Sequence, residues 1–341
     1  MNKFTGILFF SFFLFLFSCR KDKSEDLSLN QPYLLQYPEG FEPMNIPEGN
    51  ELTNLRISLG KKLFFDKRLS KDSTVSCGSC HFQQHAFADF NKLSTGIENR
   101  KGFRNSPTLA NLGYHPYFFF DGGVPTLELQ ILAPIEDVNE MNFSVPGVVE
   151  RLKNDTEIQQ LSQLAYGRNF DPFVLTRSIA AFERTMISGN SRFDQYYYQG
   201  KSSALNDSEI RGMNLFFSNK TNCSTCHSGF NFTNYEFKNI GLYEIYADSG
   251  RTRISLNPAD RGKFKTPTLR NIAVTAPYMH DGSLNTLEEV VEHFNSGGKN
   301  HENKDALVKP LNLTSTEKTD LVNFLKALTD EEFLKNPFFK P

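Results

Sequence analysis

The stretch Cys77-Gly-Ser-Cys80-His81 recurs as Cys223-Ser-Thr-Cys226-His227, and Cys-x-x-Cys-His is the spacing of c-type haem attachment. Two thiols three positions apart can add to the two vinyl groups of one haem, and the imidazole that follows then lies under the iron as its proximal ligand. Read this way, Cys77, Cys80, Cys223 and Cys226 hold two covalently bound haem c groups, with His81 and His227 on the irons. A structural zinc site of four cysteines is the competing reading. It has no use for a histidine directly after each pair, and it suits a reducing compartment.

The chain has five cysteines, and these motifs use four. The fifth, Cys19, follows a Lys-bearing start and the apolar run Ile7 to Phe17, which is too short to span a bilayer and suits the central region of a signal peptide. Leu16-Phe17-Ser18-Cys19 resembles a bacterial lipobox, with Phe17 bulkier than usual at its position. On that reading residues 1–18 are a lipoprotein signal peptide, Cys19 is the lipidated first residue, and the mature protein is anchored at a membrane facing the periplasm, with the outer membrane expected. Cleavage near Ser18 to a free soluble product is the alternative; either way the chain leaves the cytoplasm. Residues 19–49 are polar, then Pro- and Gly-bearing, and read as a tether. The rest, about 290 residues, supports two cores. A formal charge of −2 offers no basic field for nucleic acid.

The two halves repeat each other beyond the haem motifs. Leu59-Gly-Lys-Lys-Leu-Phe-Phe65 leads into the first and Arg211-Gly-Met-Asn-Leu-Phe-Phe217 into the second. Downstream, Asn105-Ser-Pro-Thr-Leu-Ala-Asn111 matches Lys265-Thr-Pro-Thr-Leu-Arg-Asn271. Phe120-Asp-Gly-Gly123 matches His280-Asp-Gly-Ser283, and Thr126-Leu-Glu128 matches Thr286-Leu-Glu288, all at an offset of 160. The pattern predicts a mainly α fold of two cytochrome c-like haem domains related by internal duplication, over 50–200 and 201–341. Leu52, Leu55, Leu59 and Leu63 form one helical stripe. Thr286-x-x-Glu289 and Thr314-x-x-Glu317 are capping boxes that open helices, the first reaching about Phe294, while 146–192 supplies helices between the domains. Strand signals are weak.

Two haem motifs in this order, with RNSPTLAN, FFFDGG, TPTLRN and PYMHDGSLNTLEEVV in these places, resemble the bacterial di-haem cytochrome c peroxidase family, including its MauG-type branch, over about residues 50 to 335. The resemblance implies that the haem at His81 reduces hydrogen peroxide and the haem at His227 takes electrons from a small c-type cytochrome or similar periplasmic donor. It places Gln130 and Glu140 at the distal glutamine and the catalytic glutamate, and Asn105, Thr275 and Pro277 where the family binds one calcium ion between the domains. Partners on this reading are peroxide, the electron donor, the membrane through Cys19, and a second copy of the chain in a homodimer. Independently of family, heterolysis of the peroxide O–O bond needs a proton moved from one oxygen to the other, and a carboxylate shielded in an apolar pocket can shuttle it. A calcium site built on one Asn side chain and backbone carbonyls would be neutral, so water would complete its shell.

Three departures from that family are legible. Phe120 stands where members usually carry Trp between the haems, and Phe is much harder to oxidise. The loop from Leu93 to Phe103 has no His to close the iron above His81, so that iron is expected to be open at rest; His85 is too close to the proximal ligand to serve, and His115, before Pro116, reads as a turn or surface residue. Phe294 occupies the place of a Met or Tyr ligand to the second iron, with His293 pointing about 100 degrees away on the same helix and Met279 or water as further candidates. Besides a peroxide reductase, the sequence allows a MauG-type oxidase that modifies another protein, and a non-catalytic di-haem electron carrier.

Overall fold

The computed structural model describes residues 30–341; Cys19, the leader over 1–18 and the start of the tether lie outside them. The first half carries α1 (Asn54–Phe64), α2 (Leu127–Gln130), α3 (Leu132–Glu136), α4 (Val145–Leu152), α5 (Thr156–Tyr166), α6 (Pro172–Arg184) and α7 (Arg192–Tyr197). The second carries α8 (Asp207–Phe216), α9 (Cys223–Cys226), α10 (Thr252–Ser255), α11 (Leu287–Ser296), α12 (Ser315–Lys326) and α13 (Glu331–Lys335). Regular sheet among the described residues is one antiparallel pair, β1 (Phe237–Lys238) with β2 (Phe264–Lys265), in register Phe237↔Lys265.

Each half is organised by one tight helix crossing. The Thr53 hydroxyl caps α1 by accepting from the Arg56 N–H, and Lys61 and Lys62 in its last turn complement the helix dipole. Asp171 caps α6, which starts on Pro172 as helices tolerate. The two meet at Gly60, where an added Cβ would lie 1.8 Å from the Ser178 carbonyl oxygen. In the second half, α8 and α12 open on the capping boxes Asn206/Glu209 and Thr314/Glu317. They meet at Gly212, whose Cβ would lie 1.9 Å from the Asp320 carbonyl oxygen. Only glycine lets the backbones approach this closely. Leu59, Leu63 and Phe64 of α1 pack with Ile179 and Phe182 of α6, and Phe216 of α8 packs with Leu321 and Phe324 of α12.

The domain limits expected from sequence shift at both ends of the second half. Phe193, on α7, lies in the second core, whereas Phe333 and Phe339 at the C-terminus lie in the first. Both of these rings stand 5.8 Å from Phe87, and the Gln83 amide donates to the carbonyls of Phe333 and Asn336. The described part of the tether, 30–49, is no free spacer. Phe41 packs 4.4 Å from Phe230 of the second half, Met44 lies under Gly113 of the first, and the Tyr114 hydroxyl donates to the Glu42 carbonyl. Phe41 and Met44, both buried, are the anchors that the polar composition around them conceals.

The halves also clasp each other reciprocally. The Asn105 N–H donates to the His280 carbonyl at 2.9 Å, and the Lys265 N–H to the Phe120 carbonyl at 2.6 Å. Residues 160 apart in sequence thus exchange the same contact. Beside this clasp Asp121 is fully buried, and its Oδ2 accepts from Arg104 at 2.7 Å and from Arg253 at 2.5 Å. Burial alone would raise its carboxyl, but the two guanidinium groups hold it below the ordinary value.

Gly60→Ala and Gly212→Ala are each expected to destabilise the holoprotein by about 1–3 kcal/mol or more, because the helix backbones must separate. Guanidinium unfolding followed by far-ultraviolet circular dichroism checks this, and parental midpoints would show that the crossings are slack.

Candidate functional site

The first Cys-x-x-Cys-His segment begins on a capping box between Ser76 and Ser79 and makes one tight turn, with the Cys80 and His81 N–H groups both donating to the Cys77 carbonyl. Gly78 is required there, since an added Cβ would sit 2.5 Å from the Phe65 ring. His81 Nδ1 lies 2.6 Å from the Phe87 carbonyl oxygen, and His227 Nδ1 lies 3.0 Å from that of Phe232. A carbonyl only accepts, so each Nδ1 carries the proton and each Nε2 keeps its lone pair for a metal. Burial pushes both imidazoles down, His227 to about 4, which keeps them neutral as iron ligands must be. No cluster of three or more Cys, His, Asp or Glu able to hold a metal ion occurs among the described residues. The four cysteines therefore do not converge on one zinc ion, and the donor set fits two separate c-type haems.

Glu140 stands at a turn after α3 and is fixed through its backbone. Its N–H donates to the Asp137 carbonyl and its own carbonyl accepts from the Ile97 N–H at 2.8 Å. The loop carrying Ile97 approaches so closely that a Cβ on Gly96 would lie 2.5 Å from the Glu140 oxygen. The Glu140 carboxylate has neither a hydrogen-bond partner nor a salt bridge among the described residues. It is solvent-accessible, yet surrounding protein, with a contribution from the Asp137 charge, pushes its pKa up to about 7. The loop that holds the Glu140 backbone also touches the first attachment segment, with the Cys80 Sγ 4.0 Å from the Thr95 carbonyl oxygen and the Ile97 N–H on the Glu140 carbonyl. Gln130 closes α2, capped by Thr126, and its amide makes no hydrogen bond among the described residues. It is thus available to a ligand.

The remaining candidate groups take definite partners. His85 donates from Nδ1 to the Val274 carbonyl at 3.0 Å and so anchors one half on the other. His293 donates from Nε2 to the Ile240 carbonyl at 3.1 Å, which removes that nitrogen from the contest for the second iron. His115 is not a surface residue: its Nε2 is buried and its Nδ1 lies 3.0 Å from Lys265 Nζ. Asn105 donates its amide to the carbonyls of Asn91 and Lys92 and sits beside His280, three residues after Pro277, so the calcium segments do meet. The Thr275 hydroxyl, by contrast, is turned inward to the Ile272 carbonyl. A cation there would rest on neutral oxygens and water.

Sequence reasoning missed Glu183 on α6, fully buried with Oε2 unpartnered and pushed up to about 8 by burial. It also missed the ring formed by Asp121, Arg104, Asp248 and Arg253. Arg104 holds Asp248 through two nitrogens at 2.7 and 2.9 Å across 144 residues of sequence, a separation at which no local pattern operates.

Two proximal histidines, each oriented by a backbone carbonyl and each following a cysteine pair on one clasped frame, define a di-haem c-type cytochrome. A family model described as di-haem cytochrome c peroxidase matches residues 54–203. The chain is 37% identical over 296 residues to a methylamine utilization protein MauG of Methylorubrum extorquens, covering 84% of this chain and 81% of that one. It is 35% identical to a cytochrome c551 peroxidase of Nitrosomonas europaea, covering 83% of each. A solved MauG-like protein associated with microbial copper homeostasis superposes with a TM-score of 0.86 at 34% identity, over 90% of this chain and 99% of that chain. The chain belongs to the di-haem cytochrome c peroxidase family, and with it come two c-type haems and an oxidoreductase chemistry.

Intact mass and pyridine haemochrome analysis are expected to give two covalent haems per chain. Replacing Cys223 and Cys226 together by Ser should leave one, on the first segment. Loss of both, or haem extractable by acidified organic solvent, would overturn the attachment scheme.

Proposed function

We propose that the chain is an extracytoplasmic hydrogen peroxide reductase, tethered through Cys19, in which the haem held by Cys77, Cys80 and His81 is the peroxidatic one. The haem held by Cys223, Cys226 and His227 passes on electrons from a small cytochrome c. The observation that carries this reading is Glu140: an unpaired carboxylate held by the same Thr95–Ile97 loop that touches Cys80, with its pKa pushed up to about 7 by burial. When bound, the haem supplies the redox iron at which peroxide takes up two electrons and, with two protons, becomes two waters. The Gln130 amide orients the peroxide by hydrogen bonding. Glu140, ionised, takes the proton from one peroxide oxygen and returns it to the other as the leaving group departs, a role for which a pKa near the working pH is best suited. The Ile97 N–H and the close approach of Gly96 fix the backbone that aims this carboxylate. We take the two halves to be copies of one ancestral haem domain, a reading supported by the reciprocal contacts of residues 160 apart.

The relative named MauG supports a second reading, an oxidase that modifies another protein. Phe120, at the junction between the halves, argues against it, because a phenyl ring is a poor way station for oxidising equivalents. Steady-state peroxide consumption with reduced cytochrome c separates the two: rapid turnover supports the reductase, and consumption only in the presence of a protein substrate supports the oxidase.

Glu140→Gln should retain both haems and lose about 10²-fold or more in peroxide turnover, the usual share of a positioned acid or base. Because the ionised form is the base, parental turnover should rise with pH through about 7, and this limb should vanish in the variant. A parental rate in Glu140→Gln would remove Glu140 from the reaction.

The described residues bring no histidine from the 93–103 loop over the first site. The oxidised enzyme should therefore react with peroxide without prior reduction and show a high-spin ferric signal in electron paramagnetic resonance. Purely low-spin signals, with reactivity appearing only after one-electron reduction, would show that another group closes the site.

A further inference from the structure

The junction between the halves holds a charge with no visible counter-charge. Lys265 is 8% exposed, and its ammonium has one hydrogen-bond partner, His115 Nδ1 at 3.0 Å. No carboxylate among the described residues lies within salt-bridge distance of it. The nearest surroundings are aromatic: the Tyr235 ring, 5.9 Å from Nζ and 5.1 Å from the His115 ring, and the Phe118 ring stacked at 6.3 Å. A buried ammonium facing only π-surfaces and a neutral imidazole is costly, and such charges are ordinarily paired.

The histidine sharpens the point. An ammonium can only donate, so Nδ1 must accept and Nε2 must carry the ring proton. That Nε2–H is itself buried and has no partner. One lysine proton goes to His115 Nδ1, but the remaining ammonium protons and the Nε2–H, presented at one place from opposite halves of the chain, have no acceptor among the described residues. Buried donors left in this state cost about 1–3 kcal/mol each, so a receiving group is expected.

Location narrows the choice. Lys265 begins a segment that flanks the residues orienting His227, and its own N–H holds the Phe120 carbonyl of the other half. On either side of Phe232, the Thr266 carbonyl accepts from the Thr233 hydroxyl and the Thr268 hydroxyl donates to the Asn231 carbonyl, both at 2.7 Å. The segment beside the residues that orient the proximal ligand therefore carries the unpaired cation. A c-type haem brings two carboxylates of its own, its propionates, and no acidic side chain competes for Lys265.

We propose that Lys265 and His115 form a carboxylate-binding site at the junction, and that it receives a propionate of the haem attached at Cys223 and Cys226. Lys265 pairs with the propionate directly and the His115 Nε2–H supplies a second donor. Because the ammonium belongs to the second half and the imidazole to the first, this contact ties the electron-transfer haem to both halves. It rests on the reading that His227 carries a haem, which haem counting tests separately.

Lys265→Met should keep two covalent haems and lower the midpoint potential of the haem at His227. Removing a nearby cation favours the ferric state, here by about tenfold or more in the reduction equilibrium, equivalent to about 59 mV for one electron. Lys265→Arg should restore most of the shift, and His115→Phe should move the propionate bending band of that haem in resonance Raman spectra. Parental potentials and bands in all three variants would overturn the proposal, as would a shift confined to the haem at His81. A crystal structure of the holoprotein decides the matter without substitution: Lys265 Nζ should lie within hydrogen-bond distance of a propionate oxygen, and a separation beyond about 4 Å would overturn it. Loss of one haem from the parent count would instead sink the di-haem attachment scheme on which the site depends.

Discussion

Asp121 is a carboxylate with no access to water, and that is affordable in energetic terms only while Arg104 and Arg253 both point at it. Arg104 comes from the first half and Arg253 from the second, so the charge balance of the buried site is complete only when the halves are docked. The ring closes through Asp248, which holds the other edge of Arg104. Around it the reciprocal contacts of Asn105 with His280 and Lys265 with Phe120 set the spacing of the halves. Electron exchange between two haems depends on their separation and mutual tilt. In this chain the halves that carry the two attachment segments are joined by main-chain hydrogen bonds, one ion cluster and the aromatic contacts of Phe87 with Phe333 and Phe339.

The fold was legible in sequence where structure is local. Both capping boxes named from Thr286 and Thr314 open helices at those residues, and the Leu59/Leu63 stripe is buried at the α1 crossing. Gly60 and Gly212 were visible only as members of a repeat; that they are the contact points of two helix pairs depends on Ser178 and Asp320, more than 100 residues away in each case. The same limit explains the misplaced boundaries. Phe193, Phe333 and Phe339 sit in locally unremarkable segments, and their allegiance to one core or the other is decided by long-range packing. Residues 30–49 look like linker by composition, whereas two buried side chains, Phe41 and Met44, decide their position.

At the site, the proximal ligands were legible because covalent chemistry forces a fixed spacing. Glu140 was reached through resemblance alone, and the geometry adds what resemblance lacks: an unpaired, desolvated carboxylate held from behind by its own backbone. His115 shows the reverse. A histidine before proline reads as a turn or surface residue, yet His115 is an extended residue after a short 3-10 turn and faces Lys265 of the other half. Periodicity arguments are silent about which side of a loop is covered.

The C-terminal anchoring of Phe333 and Phe339 has a consequence for how the proximal ligands are held. These rings pack on Phe87, whose carbonyl orients His81, so the hydrogen bond that sets the first proximal imidazole is braced by side chains of the other half. The second imidazole is braced in the same way from across the molecule, since Phe193 packs 5.1 Å from the ring of Phe232, whose backbone carbonyl receives His227 Nδ1–H. Each half therefore stiffens the proximal ligand of the other, and loosening either core is felt first as tilt of the imidazole in the opposite half.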